Sequence, residues 1–347
     1  MRRAVKDTLL GAIYWTGLTQ LFSPIYGGLG AIFCMHRVIS SKEESLARQL
    51  TVTMNFLDQV IRHFIGEGTR FASMGEVESM LLDPERTSGP FIALTLDDGY
   101  RDNLTNALPI LRKHGIPATI YVPSGVPDRS FDPWWLRLEE AALARDELKL
   151  DWPGLPSHVP TATFAEKAAA YALLTRYVHR DITKNRAIAA LLLPKTDVSD
   201  ESLVEDHFLG WSELRELASD PLVTIGAHTV SHPALSSLEE AQALDEMTRG
   251  RDRLVSELDI AVEHFAYPYG TSADCGAREI SLARRAGFGT AVTLRRGNIF
   301  PRHRDHLTCL PRLSLGGARE RIQDPVLDVS GAPLALGSRC KNPVVTL

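Results

Sequence analysis

Phe91-Ile92-Ala93-Leu94-Thr95-Leu96 runs straight into Asp97-Asp98-Gly99. An apolar run of this length ending on an Asp-Gly turn signal reads as a short buried strand. It delivers two adjacent carboxylates onto a tight turn. Neighbouring side chains leave a strand in different directions, so the pair can divide its labour. One carboxylate can hold a metal while the other handles protons. About 130 residues later the chain offers His228-Thr229-Val230-Ser231-His232, again after a strand-like run, Leu222 to Ile225. Asp98 with two histidines four apart makes a two-His, one-carboxylate set with open positions for water and substrate. That is the pattern of a metal-assisted hydrolase. Either motif alone has an ordinary reading, as a turn, a cap or a satisfied core histidine. Together, both at strand ends, they are specific.

A third motif follows the same grammar. His264-Phe265-Ala266-Tyr267-Pro268-Tyr269-Gly270 is an apolar strand breaking into a Pro/Gly turn. Three polar motifs at strand ends suggest loops gathered at one face of a barrel.

At this point the chain resembles the polysaccharide deacetylase family, the NodB-homology group of carbohydrate esterases. The resemblance rests on Thr95-Leu96-Asp97-Asp98-Gly99, on His228-Thr229-x-x-His232 and on Pro268-Tyr269-Gly270, and the motifs span about residues 91–315. It implies a distorted (β/α)7 barrel, an α/β fold with a helical insertion at the catalytic face. It also implies Asp97 as general base, and Asp98, His228 and His232 as ligands of one divalent ion, usually Zn2+. The implied activity is removal of N-acetyl groups from amino sugars of an oligo- or polysaccharide. Tyr269 would contribute its backbone N–H to the oxyanion. Two readings stand beside this one: hydrolysis of another C–N or ester acyl group on the same centre, and a non-catalytic glycan-binding relative.

One departure from the family matters, because its aspartate-orienting arginine falls here at Ala266. Arg312, in Leu310-Pro311-Arg312, is expected to take over that job from beyond the last strand. Its planar fork can hold Asp97 bidentately. Arg302-His303-Arg304-Asp305-His306 lies where the family has its late motifs, so His303 or His306 is expected to protonate the leaving amine. His36, in Cys34-Met35-His36, follows the first strand and is expected at the substrate cleft.

Seven apolar runs are expected as strands: Ala31–Cys34, the neighbourhood of Phe71, Phe91–Leu96, Ala118–Val122, Leu222–Ile225, Glu263–Tyr267 and Thr290–Thr293. Helical periodicity lies between most of them, as in Phe56-x-x-x-Val60-Ile61-x-x-Phe64, so the strands are expected to be parallel. Residues 1–29 read as an N-terminal helical segment, 30–318 as the barrel and 319–347 as a C-terminal tail, exposed from Ser330 to Leu347. The stretch 127–208 is too long for a simple crossover and reads as an insertion, helical from Thr163 to about Leu193. Trp134 and Trp135 within it are expected either to stack on sugar rings or to anchor the insertion.

The 347 residues can bury a substantial core, and the composition, 44% hydrophobic and 23% charged with net charge −5, is that of an ordinary soluble domain. No basic excess points to nucleic acid. The partner expected is carbohydrate. Four cysteines without C-x-x-C spacing read as free thiols, in keeping with a cytoplasmic location or the inner membrane face. The N-terminus imitates a signal peptide only loosely, and no apolar run reaches the ~20 residues of a spanning helix. It reads as an amphipathic helix that packs on the barrel or contacts a membrane peripherally, with packing preferred.

Overall fold

The computed structural model describes residues 2–42, 45–83, 85, 89–150, 152–179, 200–317, 320–337 and 343–346. Seven parallel strands close on themselves: β1 (Gly30–Met35), β2 (Phe91–Leu96), β3 (Ala118–Val122), β4 (Val223–Ala227), β5 (His264–Ala266), β6 (Thr290–Arg296) and β7 (Leu310–Ser314). Each pairs with its neighbours in chain order, and β7 returns to β1 through Phe33↔Leu313 and Cys34↔Ser314. Closure leaves no open edge in the wall. Helices such as Met54–Gly66, Trp211–Ala218 and Glu240–Leu258 cover the outside.

Strand periodicity sorts the side chains. On β2, Ile92, Leu94 and Leu96 point outward into the core shared with the helices, beside Phe56, Val60 and Ile61. Phe91 and Ala93 point inward, to meet Ile32, Tyr121, Ala266, Val292 and Leu310. The inward row of β2 then continues to Thr95 and Asp97, that of β1 through Ile32 and Cys34 to His36, and that of β7 from Leu310 to Arg312. The barrel therefore changes along its axis from apolar filling to buried polar groups.

Two sequence expectations need correction. The seventh wall strand is Leu310–Ser314, whereas Arg70–Phe71 is a two-residue strand pairing only with the start of β2. Pro311 disguises the closing strand, because proline is disfavoured inside a sheet. It is tolerated where the β6–β7 ladder skips register between Val292 and Arg296. Nor are residues 323–337 an exposed tail. Gln323–Ser330 and Ala332–Gly337 are helices that bury Leu327 and Ala332 against Ile13 of the N-terminal helix, Arg2–Trp15.

The insertion has its own core, in which Phe131, Leu138, Leu174, Val204 and Phe208 are buried together. It includes the helices Trp134–Leu143, Phe164–His179 and Asp200–His207. The helical reading beyond His179, up to Leu193, lies outside the described residues.

Candidate active site

The three motif loops leave the C-terminal ends of β2, β4 and β5. Register fixes their meeting: Met35↔Leu96 sets His36 beside Asp97, and the N–H of Asp97 donates to the Met35 carbonyl at 3.0 Å. Val122↔Ala227 and Phe265↔Ala227 bring the His228 loop between the ends of β3 and β5. Left-handed backbone concentrates here. Of six non-glycine residues with positive φ among those described, four are Asp98 (73°), Thr229 (69°), His232 (56°) and Tyr269 (60°). Such conformations cost of order 1 kcal/mol or more each and persist only where the surroundings impose them. Gly99, also left-handed, lies so close to the β3 wall that a Cβ would sit 3.0 Å from Val122 Cγ1.

Asp98, His228 and His232 are all buried, and their donor atoms lie within 4.8 Å of one another. Asp98 Oδ1 is 3.4 Å from Nε2 of both histidines. It is buried and has no hydrogen-bond partner. Tetrahedral coordination with bonds of about 2.0–2.1 Å spaces its donors by roughly 3.3 Å, which those two separations match. The outer contacts agree. His228 Nδ1 donates to the Ala266 carbonyl at 2.7 Å, which fixes the tautomer with its Nε2 lone pair turned toward Asp98. This donor set fits a divalent ion. Burial alone would raise the Asp98 carboxyl, but the histidines facing it outweigh burial and bring it below its ordinary value.

Asp97 is held differently. Arg312, fully buried, donates Nη1 to Oδ1 at 2.8 Å and Nη2 to Oδ2 at 2.7 Å, while its Nε donates to the Thr293 carbonyl at 3.0 Å. Nη1 also reaches Thr95 Oγ1 at 3.1 Å, and Cys34 Sγ lies 3.5 Å from Asp97 Oδ2. The guanidinium thus arrives from within β7, pointing into the barrel, and not from beyond the last strand. Burial pushes the Asp97 carboxyl up, but the Arg312 charge and hydrogen bonds prevail and hold it well below the usual carboxylate range. The Cys34 thiol, with burial dominant, is pushed well up.

A second set of supports was not read from the sequence. Glu246 Oε2 accepts the N–H groups of Val230 and Ser231, both at 2.9 Å, and Oε1 accepts the Ser231 hydroxyl at 2.8 Å. The same helix meets the loop at Gly250, where a Cβ would lie 2.6 Å from the Thr229 carbonyl. A glutamate one turn before a glycine on the buried face of Ala243, Met247 and Leu254 was the available signal. Asn103 Nδ2 donates to the His36 carbonyl at 2.8 Å.

Two expected site residues, His303 and His306, do not stand where the sequence suggested, and of the two readings open for Trp134 and Trp135 the anchor is the one seen. Trp134 and Trp135 are 2% and 5% exposed, so neither offers a free face to a sugar ring. They anchor the insertion: Trp134 Nε1 donates to Tyr269 Oη at 3.1 Å and Trp135 Nε1 to Tyr100 Oη at 2.7 Å. The Trp135, Phe131 and Tyr269 rings surround His232 at centroid distances of 5.5, 6.1 and 4.9 Å. His303 and His306 lie at the wrong end of the barrel for proton transfer. After β6 the chain must descend before β7 can rise parallel to it, and Ile299 already bridges Gly30 at the start of β1. His303 is buried there with both ring nitrogens engaged, by the Phe300 N–H and the Val345 carbonyl, each at 2.9 Å. His36, half-buried, does stand at the mouth, and its ring belongs to a cluster with Cys34 and Asp97 whose polar atoms lie within 4.8 Å.

The sequence matches the polysaccharide deacetylase family over residues 85–148 and 169–290. The chain belongs to this family. Its barrel superimposes on the Streptococcus pyogenes deacetylase PplD, solved with acetate, with a TM-score of 0.55 and 20% identity over 82% of this chain and 92% of that one. It superimposes on IcaB from Ammonifex degensii with a TM-score of 0.54 and 17% identity, over 88% and 98%. At such identities the likeness is one of fold. The YxkH protein of Bacillus subtilis (strain 168), named for the same family, is 40% identical over 47 residues, 14% of this chain and 17% of that protein's length. The NodB-type (β/α)7 barrel is therefore a family trait, and hydrolysis of acyl C–N bonds is the family's chemistry.

Proposed function

We propose that this protein is a metal-dependent hydrolase that removes N-acetyl groups from amino sugars of an oligo- or polysaccharide. The observation that carries the reading is one geometry: a three-donor set at Asp98, His228 and His232 beside a carboxylate, Asp97, clamped by a buried arginine. A divalent ion held by those donors, with Zn2+ the best match to two imidazoles and one carboxylate, would polarise the acyl carbonyl and lower the pKa of water. Asp97 takes a proton from the attacking water. Arg312 keeps that carboxylate ionised and fixed in direction. The water oxygen bonds to the carbonyl carbon, and the backbone N–H of Tyr269 supports the charge that develops on the carbonyl oxygen. The C–N bond then breaks. With His303 and His306 at the other end, we assign to His36 the proton that the departing nitrogen needs, supported by its position at the mouth beside Asp97. The products are acetate and a free amine.

The test is acetate release from N-acetylated oligosaccharides, compared with O-acetyl esters and non-sugar acetamides. Loss of activity with a chelator and recovery with Zn2+ are expected on the oligosaccharides. Turnover confined to esters would transfer the reading to another acyl group. Zinc binding without any acetate release would favour a glycan-binding relative.

A further inference from the structure

Residues 2–27 form a helical apron that feeds into β1 at Gly30, the barrel end opposite the motif loops. Its inner side is fixed in place. Ile13 is buried with Leu327 and Ala332, and Leu10, Tyr14 and Phe22 pack on them. Asn298 Nδ2 donates to the Tyr26 and Val329 carbonyls, both at 2.9 Å. The outer side carries a cluster of large apolar side chains among a few polar ones. Leu9, Trp15, Leu18, Leu21 and Ile25 are exposed, Trp15 by 79%, Leu21 by 69% and Ile25 by 62%. They make up five of the ten exposed large hydrophobics among the described residues, gathered into 17 positions. Single exposed apolar side chains need no explanation, but a cluster on a rigid support does.

No described helix is long and apolar enough to cross a membrane. The charge of the segment selects the occupant. Residues 1–30 hold three basic residues, Arg2, Arg3 and Lys6, and one acid, Asp7, in a chain whose net charge is −5. We propose that the apron docks on a bilayer surface rich in anionic lipid, with Trp15, Leu21 and Ile25 entering the boundary between headgroups and acyl chains. A tryptophan suits that depth, since its ring is apolar and its N–H stays wet. Basic residues beside an apolar face add attraction to anionic headgroups. A second copy of the chain would instead bring like cations into a self-complementary interface.

The test is flotation of the full-length protein with phosphatidylcholine vesicles, with and without phosphatidylglycerol, at low and high salt. Expected is binding to phosphatidylglycerol vesicles that high salt weakens. The triple variant Trp15→Ser, Leu21→Ser, Ile25→Ser should bind at least about tenfold more weakly. Its melting temperature and its rate on soluble substrates should be unchanged, because the replaced side chains are exposed. Failure of the wild type to float with phosphatidylglycerol vesicles would overturn the proposal. So would equal flotation of the triple variant, or a wild-type dimer that the variant dissociates while neither floats. Vesicle binding is read without substrate, so the result is independent of the proposed catalysis.

Discussion

The two ends of the barrel are made from the same seven strands and are chemically opposite. The C-terminal mouth holds two buried carboxylates, two converging histidines and four left-handed non-glycine residues. The N-terminal end is closed by Ile32, Phe91, Ala93, Met74 and Leu310, and its histidines, His264 and His303, are hydrogen-bonded to Thr290 and to backbone. Packing consistency is the rule at one end, and imposed strain with buried charge is the rule at the other. Barrel enzymes generally divide stability and chemistry in this way. The difference also explains why a histidine alone says little: its ring converges on a buried carboxylate at one end and is a satisfied core group at the other.

The contrast would break most sharply at the donor set. His228→Ala and His232→Ala should abolish both zinc binding and acetate release. Asp97→Asn should retain zinc, because it removes a base and not a ligand, and should lose about 10²–10⁴-fold in kcat. Metal analysis beside single-turnover rates checks both. If Asp97→Asn were metal-free and Asp98→Asn kept its metal, the roles within the pair would be exchanged.

Arg312 comes next in size. Losing its charge-assisted bonds is expected to cost about 1.5–3 kcal/mol of transition-state stabilisation, roughly 10- to 150-fold in rate. Arg312→Lys should be nearly as damaging as Arg312→Ala, since an ammonium cannot span both carboxylate oxygens. Arg312→Ala also leaves Asp97 buried without a counter-charge, which should destabilise the fold by about 3–5 kcal/mol. The pH profile gives an independent sign. Arg312 depresses the Asp97 carboxyl against burial, so its removal lets burial dominate and raises that pKa. The acid limb of kcat/KM should therefore move to higher pH in Arg312→Ala, and by less in Arg312→Lys, which keeps the charge and loses the fork. An unmoved limb would show that Asp97 does not titrate in the rate.

Glu246 and the tryptophans sharpen the comparison, because they support the mouth from outside it. Glu246→Ala removes three hydrogen bonds from the His228–His232 loop. Calorimetric titration should find zinc affinity lowered about 10–100-fold, with the barrel still folded. Trp134→Ala and Trp135→Ala should lower stability by about 3–5 kcal/mol and reduce activity on short and long substrates alike. A selective loss on long substrates would instead return the tryptophans to the substrate cleft.

What the sequence disclosed follows the same division. Asp97, Asp98 and His228 were legible because each lies within two residues of a strand end, and His232 because it follows four residues after His228 in the same loop. Arg312 was legible in its target and not in its setting: a proline beside it hid β7, so the arginine looked like a loop residue. That one missed strand also misplaced His303 and His306, since only a descending crossover tells which end a late segment occupies. The choice between stacking and anchoring stayed open for the tryptophans because burial under an insertion depends on partners as distant as Tyr100, Tyr269 and Phe208, which no local pattern links. Glu246 was passed over for the related reason that its hydrogen bonds run to a loop on another element, and its spacing from Gly250 was the one local trace of them.

The smallest expected effect tests that end assignment directly. His306→Ala changes a side chain placed below the barrel, so its kcat and KM should stay near those of the wild type. His303→Ala removes a buried ring that accepts the Phe300 N–H and donates to the Val345 carbonyl. It leaves a buried donor unsatisfied, which costs about 1–3 kcal/mol of stability. Its melting temperature should fall, while its rate per folded molecule should match that of the wild type. His36→Ala provides the contrast, because it alters the mouth: a large loss of kcat with zinc retained is expected, steepest for substrates whose departing amine needs its proton most. Measuring the three variants with amide and activated-ester substrates separates the roles. An ester with a good leaving group needs no acid, so His36→Ala should be partly rescued on it. If His306→Ala rather than His36→Ala showed that rescue, the proton would come from the far end of the barrel, and the division between the two ends would fail.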